Sequence, residues 1–415
     1  MFAQRLGIIG IGYVGLPLAA AFARAGNSVI GIDIDRGRVD RVNAGLSPVD
    51  TVADAEVAAI RGKFRATTDS SVLSECETIV VCVPTPVEDE RPDLTPLTSA
   101  TETVRDHLRP GQLIIIESTT YPGTTHDLLL PILEETGLRA GIDFALAYSP
   151  ERIDPGNTRY NVMNTPRVVG GLTTVCRERA AAFYRQITEV HLAKGMREAE
   201  AAKILENTFR QINIALVNEF AQLCHSMNID VWDTIDCAAT KPYGFMPFWP
   251  GAGVGGHCIP VDPLYLVHHA FTLGLPFHMA ETANRVNKSA PLWVADRVSK
   301  NLEDSGVAVH AANVLLLGVT YKPDTADTRN TPAVPIASSL LERGASVSFH
   351  DPYVEKLRWP DGEIERVPDL AAALRQADLT ILLQRHRDYD LPMIAAARRL
   401  FDTTGSLRSA DVISL

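Results

Sequence analysis

The chain has 415 residues, of which 46% are hydrophobic and 21% are charged, as in a globular protein of two or three domains. Its net charge is −11 and no long basic run occurs, so nucleic acid and anionic membranes are excluded as expected partners. No uninterrupted apolar run reaches the roughly 18 residues of a membrane span, and no leader-like segment opens the chain.

The cysteines and histidines show no metal-binding spacing. The six cysteines are dispersed without a CxxC pair, which argues against a disulfide framework and a zinc ribbon and indicates a reducing, cytoplasmic location. His257, His268, His269 and His278 lie close in sequence, but no carboxylates accompany them at ligand spacing. We therefore expect no metal site.

A glycine motif opens the chain. An apolar strand is predicted at 6–10, followed by the segment Gly10-Ile11-Gly12-Tyr13-Val14-Gly15 and by a helix at 16–25. In this strand–turn–helix context the first glycine makes the tight turn and the second lets the backbone approach a pyrophosphate. The third allows close packing of helix on strand. The pattern predicts a dinucleotide site with phosphate at the helix N-terminus.

An acidic residue follows the second predicted strand, 28–32. Asp33 stands about where an acid hydrogen-bonds the adenosine ribose of NAD, and its charge would repel the 2′-phosphate of NADP. Arg36 and Arg38 follow closely. They could complement that phosphate, reach the pyrophosphate, or lie on a solvated helix face.

Further strands are predicted at 78–83, 113–117 and 144–148, each ending in a polar or proline-containing loop. In a doubly wound sheet these loops meet in one crevice at the carboxyl ends of the strands. Thr119 and Glu151 are the side chains there that are suited to hold a water or move a proton. Glu151 taken alone also fits an ordinary surface acid.

Apolar residues recur at helical spacing from 196 to about 228, which predicts one long helix between two domains. Lys203 and Asn207 are four residues apart and hence on one face. Together they could bind an oxyanion, or Lys203 could take a proton. The alternative is a solvent-exposed lysine beside a polar neighbour.

A segment rich in proline, glycine and aromatic residues, 241–253, reads as an ordered ligand-facing loop and leads into Gly255-Gly256-His257-Cys258. Asp262 and Pro263 have the character of a helix N-cap and first helical residue. Cys258 would then precede a helix N-terminus, which lowers a thiol pKa. The alternative is a buried structural cysteine.

A second α/β pattern begins at 314. Strands are predicted at 314–318, 346–349 and 380–383, with a helix at 332–343. The loop after the first of these strands contains Lys322 and Arg329, both suited to bind phosphate or carboxylate.

These motifs together resemble the UDP-glucose/GDP-mannose dehydrogenase family of nucleotide-sugar 6-dehydrogenases. The resemblance rests on motifs that occur in the expected order over nearly the whole chain: Gly10-x-Gly12-Tyr13-Val14-Gly15-Leu16-Pro17, Ser118-Thr119, Ser149-Pro150-Glu151, Lys203-x-x-x-Asn207, Gly255-Gly256-His257-Cys258-Ile259-Pro260-x-Asp262 and Tyr321-Lys322-Pro323-Asp324-Thr325-x-Asp327-x-Arg329.

The resemblance implies an α/β fold with two Rossmann-like doubly wound domains joined by a central helical domain. The implied boundaries are 1–195 for NAD binding, 196–298 for the central domain with the dimer contact and the cysteine, and 299–415 for the nucleotide sugar. The expected assembly is a homodimer.

The resemblance also implies a mechanism in which a C6 alcohol is oxidised twice with NAD. Cys258 would capture the intermediate aldehyde as a thiohemiacetal that becomes a thioester, and water would hydrolyse the thioester to the carboxylate. Lys203 and Asn207 would stabilise oxyanions, while Asp262 and Glu151 would handle protons and orient water with Thr119. The implied cofactor-binding residues are Gly10, Gly12, Tyr13, Val14, Gly15, Asp33, Arg38, Thr85 and Thr119. The implied substrate-binding residues are Glu151, Lys203, Asn207, Tyr243, Phe248, Gly255, Lys322 and Arg329.

One position departs from the UDP-glucose branch, where a second glutamate stands four residues after the one matching Glu151. Pro155 occupies that place here, and with the segment 241–247 it favours the branch that oxidises UDP-N-acetylhexosamines. The expected substrate is a pyrimidine-nucleotide sugar: UDP-glucose, TDP-glucose or a UDP-N-acetylhexosamine.

Two other functions are compatible with parts of the chain. A two-electron hydroxyacid dehydrogenase shares the glycine turn and the Lys–Asn helix pair but needs neither the cysteine nor a second nucleotide-binding domain. A catalytically silent nucleotide-sugar sensor would be expected to lose Cys258, Lys203 or Asp262. Counting the NADH formed per sugar separates the three functions as two, one or none.

Overall fold

The structure is a computed structural model that describes residues 4–49, 52–88, 90–154, 157, 159–359, 362–409 and 412–415. It divides into two compact units: Met1–Glu206 with Leu264–Gly274, and Asn207–Pro263 with Leu275–Leu415. Each unit contains its own parallel sheet. Compactness alone does not test the three-domain division, which stays a prediction.

The strands of the first unit are β1 (Arg5–Ile9), β2 (Ser28–Ile32), β3 (Phe64–Thr67), β4 (Thr78–Val81), β5 (Val87–Glu88), β6 (Arg91–Pro92), β7 (Leu113–Ile116), β8 (Ala145–Tyr148), β9 (Arg167–Gly171) and β10 (Val190–Leu192). Among the described residues, β5 and β6 form a separate hairpin and the others form an eight-stranded sheet in the order β10-β9-β8-β7-β4-β1-β2-β3. Only the β8–β9 pair in this sheet is antiparallel.

The helices of the chain are α1 (Gly15–Arg24), α2 (Arg36–Ala44), α3 (Asp54–Ala59), α4 (Thr95–Asp106), α5 (Leu130–Glu134), α6 (Thr174–Tyr184), α7 (Met196–Ser226), α8 (Val231–Ala239), α9 (Asp262–Thr272), α10 (His278–Asp304), α11 (Ala333–Glu342), α12 (Leu370–Gln376) and α13 (Leu391–Ala395). Short turns of 3₁₀-helix occupy Ser70–Glu75 and Val309–Ala311, and a π-helical turn occupies Thr125–Leu129. None of the helices within the described ranges is long and apolar enough to cross a membrane.

The first sheet is covered on both faces. Leu6 and Ile8 of β1 belong to the apolar cluster on one face of the sheet. Because successive side chains of a strand lie on opposite faces, Ile9 belongs to the cluster on the other face. Such continuous apolar strands are typical of a parallel sheet between two layers of helices. The strands β1, β2, β4, β7 and β8 run in one direction, so the loops after them lie at one edge of the sheet.

The second unit repeats the arrangement on a smaller scale. Its strands are β11 (Asn313–Leu317), β12 (Ser346–His350), β13 (Lys356–Trp359), β14 (Gly362–Glu365), β15 (Leu379–Leu382), β16 (Leu400–Asp402) and β17 (Val412–Ser414). Five of them, as far as the structure is described, form a parallel sheet in the order β12-β11-β15-β16-β17, and β13 pairs with β14. Val217 and Ala221 of α7 share an apolar core with Leu316 of β11 and Val294 of α10.

The predicted strands and helices are confirmed with shifts of one or two residues at their ends, and the long predicted helix is α7. One detail was wrong. Asp262 is the first residue of α9 rather than its N-cap, because the Cys258 carbonyl already accepts the Asp262 N–H at 2.7 Å. Pro263 is accordingly the second helical residue, a position where its missing N–H costs nothing.

Candidate active site

The glycine turn has the geometry expected of a phosphate-binding turn. Gly10 has φ +87°, a conformation that favours glycine. A Cβ on Gly15 would lie 1.9 Å from the Gly10 carbonyl oxygen, so only glycine lets α1 start so close to β1. A Cβ on Gly12, in contrast, would meet only the end of the Arg38 side chain, at 3.8 Å. The backbone at Gly12 is therefore open to a ligand above the N-terminus of α1, where Tyr13 is exposed and Val14 is the N-cap residue.

Asp33 lies at the end of β2 and braces this turn. Its Oδ2 accepts the Ile11 N–H at 3.0 Å, and its Oδ1 accepts the Asp35 N–H at 2.9 Å. The Arg38 Nη1 atom is 3.7 Å from Asp33 Oδ2, and its Nε is 3.6 Å from Asp35 Oδ2. Arg38 is thus paired with acidic groups, which weakens the alternative that it complements a 2′-phosphate. Arg36 is exposed at the start of α2.

Thr119 and Glu151 lie in corresponding positions after paired strands. Ile116 of β7 is opposite Tyr148 of β8, and each site residue follows its strand by the same number of residues. Glu151 is only 8% exposed, so the surface-acid alternative is wrong. Thr85, in the loop after β4, is buried, and its carbonyl accepts the Tyr265 hydroxyl at 2.5 Å. The predicted crevice loops therefore do meet at one edge of the first sheet.

The first turns of α7 are attached to the same edge. Glu200 is fully buried and accepts the Gly123 N–H at 2.6 Å, the Thr125 N–H at 2.9 Å and the Thr125 hydroxyl at 2.7 Å. Burial raises the pKa of Glu200, although these donors act in the opposite sense. Six residues further along, Glu206 accepts a hydrogen bond from Nη2 of Arg152 at 2.7 Å.

Lys203 lies between these two anchors. It is 7% exposed, so the solvent-exposed alternative is wrong, and its ammonium makes no hydrogen bond or ion pair with the residues that the structure describes. A buried ammonium without a partner is costly, and a bound anion or polarised oxygen would relieve that cost. Asn207 follows one helical turn later, as predicted.

In the second unit, Cys258 is exposed, so the buried-cysteine alternative is wrong. It lies in the turn that begins α9, and the Asp262 carboxylate in the first turn of α9 accepts the Asn207 Nδ2–H at 2.5 Å. Burial and the Arg329 guanidinium lower the pKa of His257. His257 is therefore mainly neutral near pH 7 and does not place a cation beside the thiol.

The glycine pair before the cysteine docks on the loop after β11. The Gly256 N–H donates to the Arg329 carbonyl at 2.8 Å, and Nδ2 of Asn330 donates to the Gly256 carbonyl at 3.0 Å. A Cβ on Gly255 would lie 2.5 Å from Cβ of Tyr321. The cysteine turn and the loop that contains Lys322 are therefore held together.

The predicted substrate-binding residues in the second unit differ in their side-chain contacts and exposure. Arg329 donates from Nε to both carboxylate oxygens of Asp327, at 2.9 and 3.0 Å, so it would have to share that partner with an anion. Lys322 extends over the Tyr321 ring, with Nζ 5.7 Å from its centroid. Tyr243 is 72% exposed, whereas Phe248 is half-buried and makes an edge contact with Phe209 of α7.

Several buried ionisable groups next to the site were not predicted from the sequence. Arg167 at the start of β9 forms ion pairs with Glu117 and Glu151. In the second unit, the fully buried His386 pairs with Asp351. The available signal was a charged residue at the end of an apolar strand, as in Ile116-Glu117 and Arg167-Val168.

Comparison with known proteins supports the resemblance over all parts of the chain. Sequence profiles of the UDP-glucose/GDP-mannose dehydrogenase family match three segments: the NAD binding domain at residues 4–188, the central domain at 197–289 and the UDP binding domain at 315–409. The chain belongs to this family.

The relatives act on nucleotide sugars, as their names state. The chain is 38% identical over 356 residues to a UDP-N-acetyl-D-glucosamine 6-dehydrogenase of Pseudomonas aeruginosa, covering 84% of this chain and 83% of that protein. It is 36% identical to the enzyme of the same name from Salmonella typhi, with 85% and 83% covered. A solved UDP-D-ManNAc dehydrogenase from Pyrococcus horikoshii superposes with a TM-score of 0.90 at 32% identity, over 99% of this chain and 98% of that one.

The chain is therefore an NAD-dependent nucleotide-sugar dehydrogenase, and NAD is its cofactor. The residues at the N-terminus fit that cofactor: the open backbone at Gly12 suits a pyrophosphate, and the acid at the end of β2 suits the adenosine ribose. Pro155, which bears on the branch within the family, lies outside the described residues.

Proposed function

We propose that this dehydrogenase oxidises the C6 alcohol of a UDP-N-acetylhexosamine to the uronic acid, with a covalent intermediate on Cys258. The observation that carries the proposal is the exposed Cys258 thiol in the turn before α9, next to the Asn207–Asp262 pair. A two-electron hydroxyacid dehydrogenase has no use for such a thiol. The names of the relatives favour an N-acetylhexosamine over glucose and uridine over thymidine.

NAD+ would supply the hydride acceptor for each oxidation, with one NAD+ reduced to NADH in the first step and a second NAD+ in the next. The Cys258 thiolate adds to the C6 aldehyde after the first oxidation and forms a thiohemiacetal, which the second oxidation converts into a thioester. Water then attacks the acyl carbon, the C–S bond breaks and the thiolate leaves. Covalent capture holds C6 in place between the two oxidations, which an aldehyde in equilibrium with solvent would not.

Lys203 and Asn207 stabilise the negative charge that develops on the C6 oxygen. The buried Lys203 ammonium, which has no partner within the described part of the chain, suits this role, since a charged donor in a dry site interacts strongly with an oxyanion. Asn207 keeps one amide hydrogen for the substrate after donating the other to Asp262. Asp262 and Glu151 accept and return protons, and Thr119 orients the water with Glu151.

The remaining predicted substrate residues bind the nucleotide sugar away from C6. Lys322 contacts the diphosphate, and Arg329 adds a second cation from the same loop. Gly255 lets the substrate approach the backbone, while Tyr243 and Phe248 flank the sugar. Thr85, Tyr13, Val14 and Arg38 complete the cofactor site.

The assembly is a two-fold homodimer through the central region, within the proposed domains 1–195, 196–298 and 299–415. Large apolar side chains on α7 are exposed to solvent in the single chain, and they are Leu205, Phe209, Leu216 and Leu223. A second copy would cover them. None of the six cysteines, all of which lie in the described residues, forms a disulfide, which suits the cytoplasm. Light scattering at micromolar concentration should show a dimer, and Leu216→Glu should shift it toward monomer.

The deciding experiment is a substrate panel with NADH formation as the signal. The panel contains UDP-N-acetylglucosamine, UDP-N-acetylmannosamine, UDP-glucose, TDP-glucose and GDP-mannose, and the expected result is two NADH per N-acetyl sugar consumed. One NADH per substrate would instead indicate a two-electron dehydrogenase, and none would indicate a sensor. Oxidation of GDP-mannose alone would refute the pyrimidine nucleotide, and turnover of UDP-glucose without either N-acetyl sugar would refute the branch.

A further inference from the structure

A buried cluster of charged groups lies directly behind Glu151. It consists of Arg167, Glu117, Glu151 and Tyr184, called here the Arg167 cluster. Arg167 donates from Nη1 to Glu117 Oε2 at 3.0 Å and from Nη2 to Glu151 Oε2 at 2.8 Å. The Tyr184 hydroxyl donates to the other oxygen of Glu117. The side chains of Arg167 and Glu117 are 3% and 0% exposed.

Three hydrogen bonds fix the orientation of the Glu151 carboxyl group. Its Oε1 accepts the backbone N–H groups of Arg152, at 2.7 Å, and Ile153, at 2.5 Å, while its Oε2 accepts from Arg167. Glu151 is the acceptor in all three hydrogen bonds, which hold both of its oxygens in a fixed orientation.

Burial and neighbouring charges shift the pKa values of the other groups around Glu151. Burial by itself lowers the pKa of Arg167, but the attraction of Glu117 and Glu151 outweighs it and raises the pKa, so the guanidinium stays charged. Burial raises the pKa of Glu117, and the attraction of Arg167 opposes that rise. Cys82 and Tyr184, the other titratable groups against Glu117, stay neutral because burial raises both pKa values well above their usual range.

A buried ion pair is weak evidence of a stabilising role, since desolvating the charges costs about as much as their attraction returns. Placing one cation between two carboxylates is costlier still. The arrangement is explained if it serves the single member that reaches the crevice loop, Glu151. The Arg152 side chain does not share this function, because it extends away to Glu206 and to the Pro166 carbonyl.

We propose that Arg167 and Glu117 are positioning residues for Glu151 in the hydrolysis of the Cys258 thioester. Arg167 fixes the orientation of the Glu151 carboxylate, and Glu117 compensates the guanidinium charge so that Glu151 remains basic enough to take a proton from water. In that step Glu151 accepts one proton of the attacking water, the C–O bond forms, the C–S bond breaks and Cys258 leaves as thiolate. This inference rests on the proposed function, because it assigns partners to one of its residues.

The test follows thioester hydrolysis itself, by rapid quench of the enzyme after one turnover and mass measurement of the acylated chain. Glu117→Gln keeps the shape of the side chain but leaves Glu151 to balance the guanidinium charge without Glu117. Glu151 becomes a weaker base, so hydrolysis should slow by about tenfold and acyl-enzyme should accumulate. In the pH–rate profile of hydrolysis, the fall in rate on the acidic side should move to lower pH by about half a unit to one unit. The KM for NAD+ should change less than about twofold.

Arg167→Lys should shift the pH profile of hydrolysis in the direction opposite to Glu117→Gln. It keeps the charge but cannot bind both carboxylates with a fixed fork, so Glu151 loses a donor and its acidic limb should move to higher pH. Tyr184→Phe removes only the hydroxyl donated to Glu117 and should reproduce the effect of Glu117→Gln at a smaller size, about two- to threefold. Thr101→Val is the matched control for a lost buried hydroxyl, since Thr101 donates only to the Leu97 carbonyl within α4.

Opposite pH shifts in Glu117→Gln and Arg167→Lys, with an unchanged Thr101→Val enzyme, support the inference. Parallel losses of activity without pH shifts would show a structural role and overturn it. If Glu117→Gln does not fold, an unchanged hydrolysis rate and pH profile in Tyr184→Phe overturns it equally. Failure of the wild-type enzyme to form two NADH with any nucleotide sugar would refute the proposed function instead.

Discussion

In both parallel sheets, an aspartate that follows the second strand accepts a backbone N–H from the loop after the first strand. In the first unit, Asp33 follows β2 and accepts the Ile11 N–H just after Gly10. In the second unit, Asp351 follows β12 and accepts the Val319 N–H, at 2.8 Å, just after Gly318. Each carboxylate also accepts the backbone N–H of the residue two positions later in the sequence.

The glycines correspond as well. Gly10 and Gly318 have φ of +87° and +73°. A Cβ on Gly10 would lie 2.6 Å from the carbonyl oxygen of Cys82, and one on Gly318 would lie 2.4 Å from that of Gln384. In both sheets the neighbouring strand therefore admits only a glycine at the end of the first strand.

The third partner of the acid makes the difference. Beside Asp33 lies Arg38, whose side chain is 44% exposed. Beside Asp351 lies the fully buried His386, whose Nε2 is 3.0 Å from Asp351 Oδ2 and whose Nδ1 accepts the Asp324 N–H at 2.9 Å. The same backbone arrangement thus places one acid beside a partly exposed arginine, while the other acid helps to hold the loop that contains Lys322.

The prediction with the largest expected effect tests the separate roles of the two units, in which the first binds NAD and the second supplies the thiol. Cys258→Ala should abolish uronic acid formation, by at least about a thousandfold, because no thioester can form. NAD+ binding, measured by fluorescence titration, should be unchanged. Cys237→Ala removes another exposed thiol and is the control, which should retain activity. Full activity in Cys258→Ala would eliminate the covalent mechanism.

The next prediction concerns Asp33, the acid proposed to bind the ribose of NAD. Asp33→Asn should raise the KM for NAD+ about tenfold, equivalent to about 1.4 kcal/mol of lost binding, because a charged acceptor for the ribose is lost. It should also narrow the preference for NAD+ over NADP+, since the repulsion of a 2′-phosphate disappears. Steady-state kinetics with both cofactors measure this. Equal kcat/KM for the two cofactors in the wild type would mean that Arg38 already compensates the charge.

The buried acid should respond in the opposite manner. Asp351→Asn keeps one carbonyl oxygen but weakens the bonds to Val319 and His386, so the free energy of unfolding should fall by about 1–3 kcal/mol. The KM for NAD+ should stay at the wild-type value. Urea unfolding followed by circular dichroism measures the first quantity. A raised KM for NAD+ without lost stability would contradict the structural role of this acid.

The smallest effect is a difference in pH response. Burial lowers the pKa of His257 and His350 in the second unit, so their contribution to stability is present above about pH 6.5 and is lost as the pH falls. Burial raises the pKa of Glu117 and Glu200 in the first unit, so their contribution is present at low pH and is lost as the pH rises. Hydrogen exchange corrected for intrinsic rates should show the second unit losing more protection between pH 7 and 5.5. Equal losses in both units would contradict it.

Local sequence was enough to predict several of the strands in each sheet and the helices that follow them. The alternation of apolar runs with glycine turns and helical periodicity predicted β1, α1, β2 and the repeat that begins at β11, because these signals lie within about 30 residues of one another. The long helix α7 and the pairing of Lys203 with Asn207 on one face follow from helical periodicity in the same way. Exposure and burial were left open, as the alternatives for Cys258, Lys203 and Glu151 show.

The tertiary structure decided which side chains meet. Glu117 and Arg167 are 50 positions apart, and Asp351 and His386 are 35 apart, so neither pair is encoded in a local pattern. Their contacts depend on strand order and register: Arg167 reaches Glu151 because β9 joins the sheet antiparallel to β8. A strand's own sequence specifies which of its residues are apolar but not which neighbour it will pair with. The sequence by itself therefore determined the fold class and the chemical groups available, while packing of distant strands determined which of these groups are buried against one another.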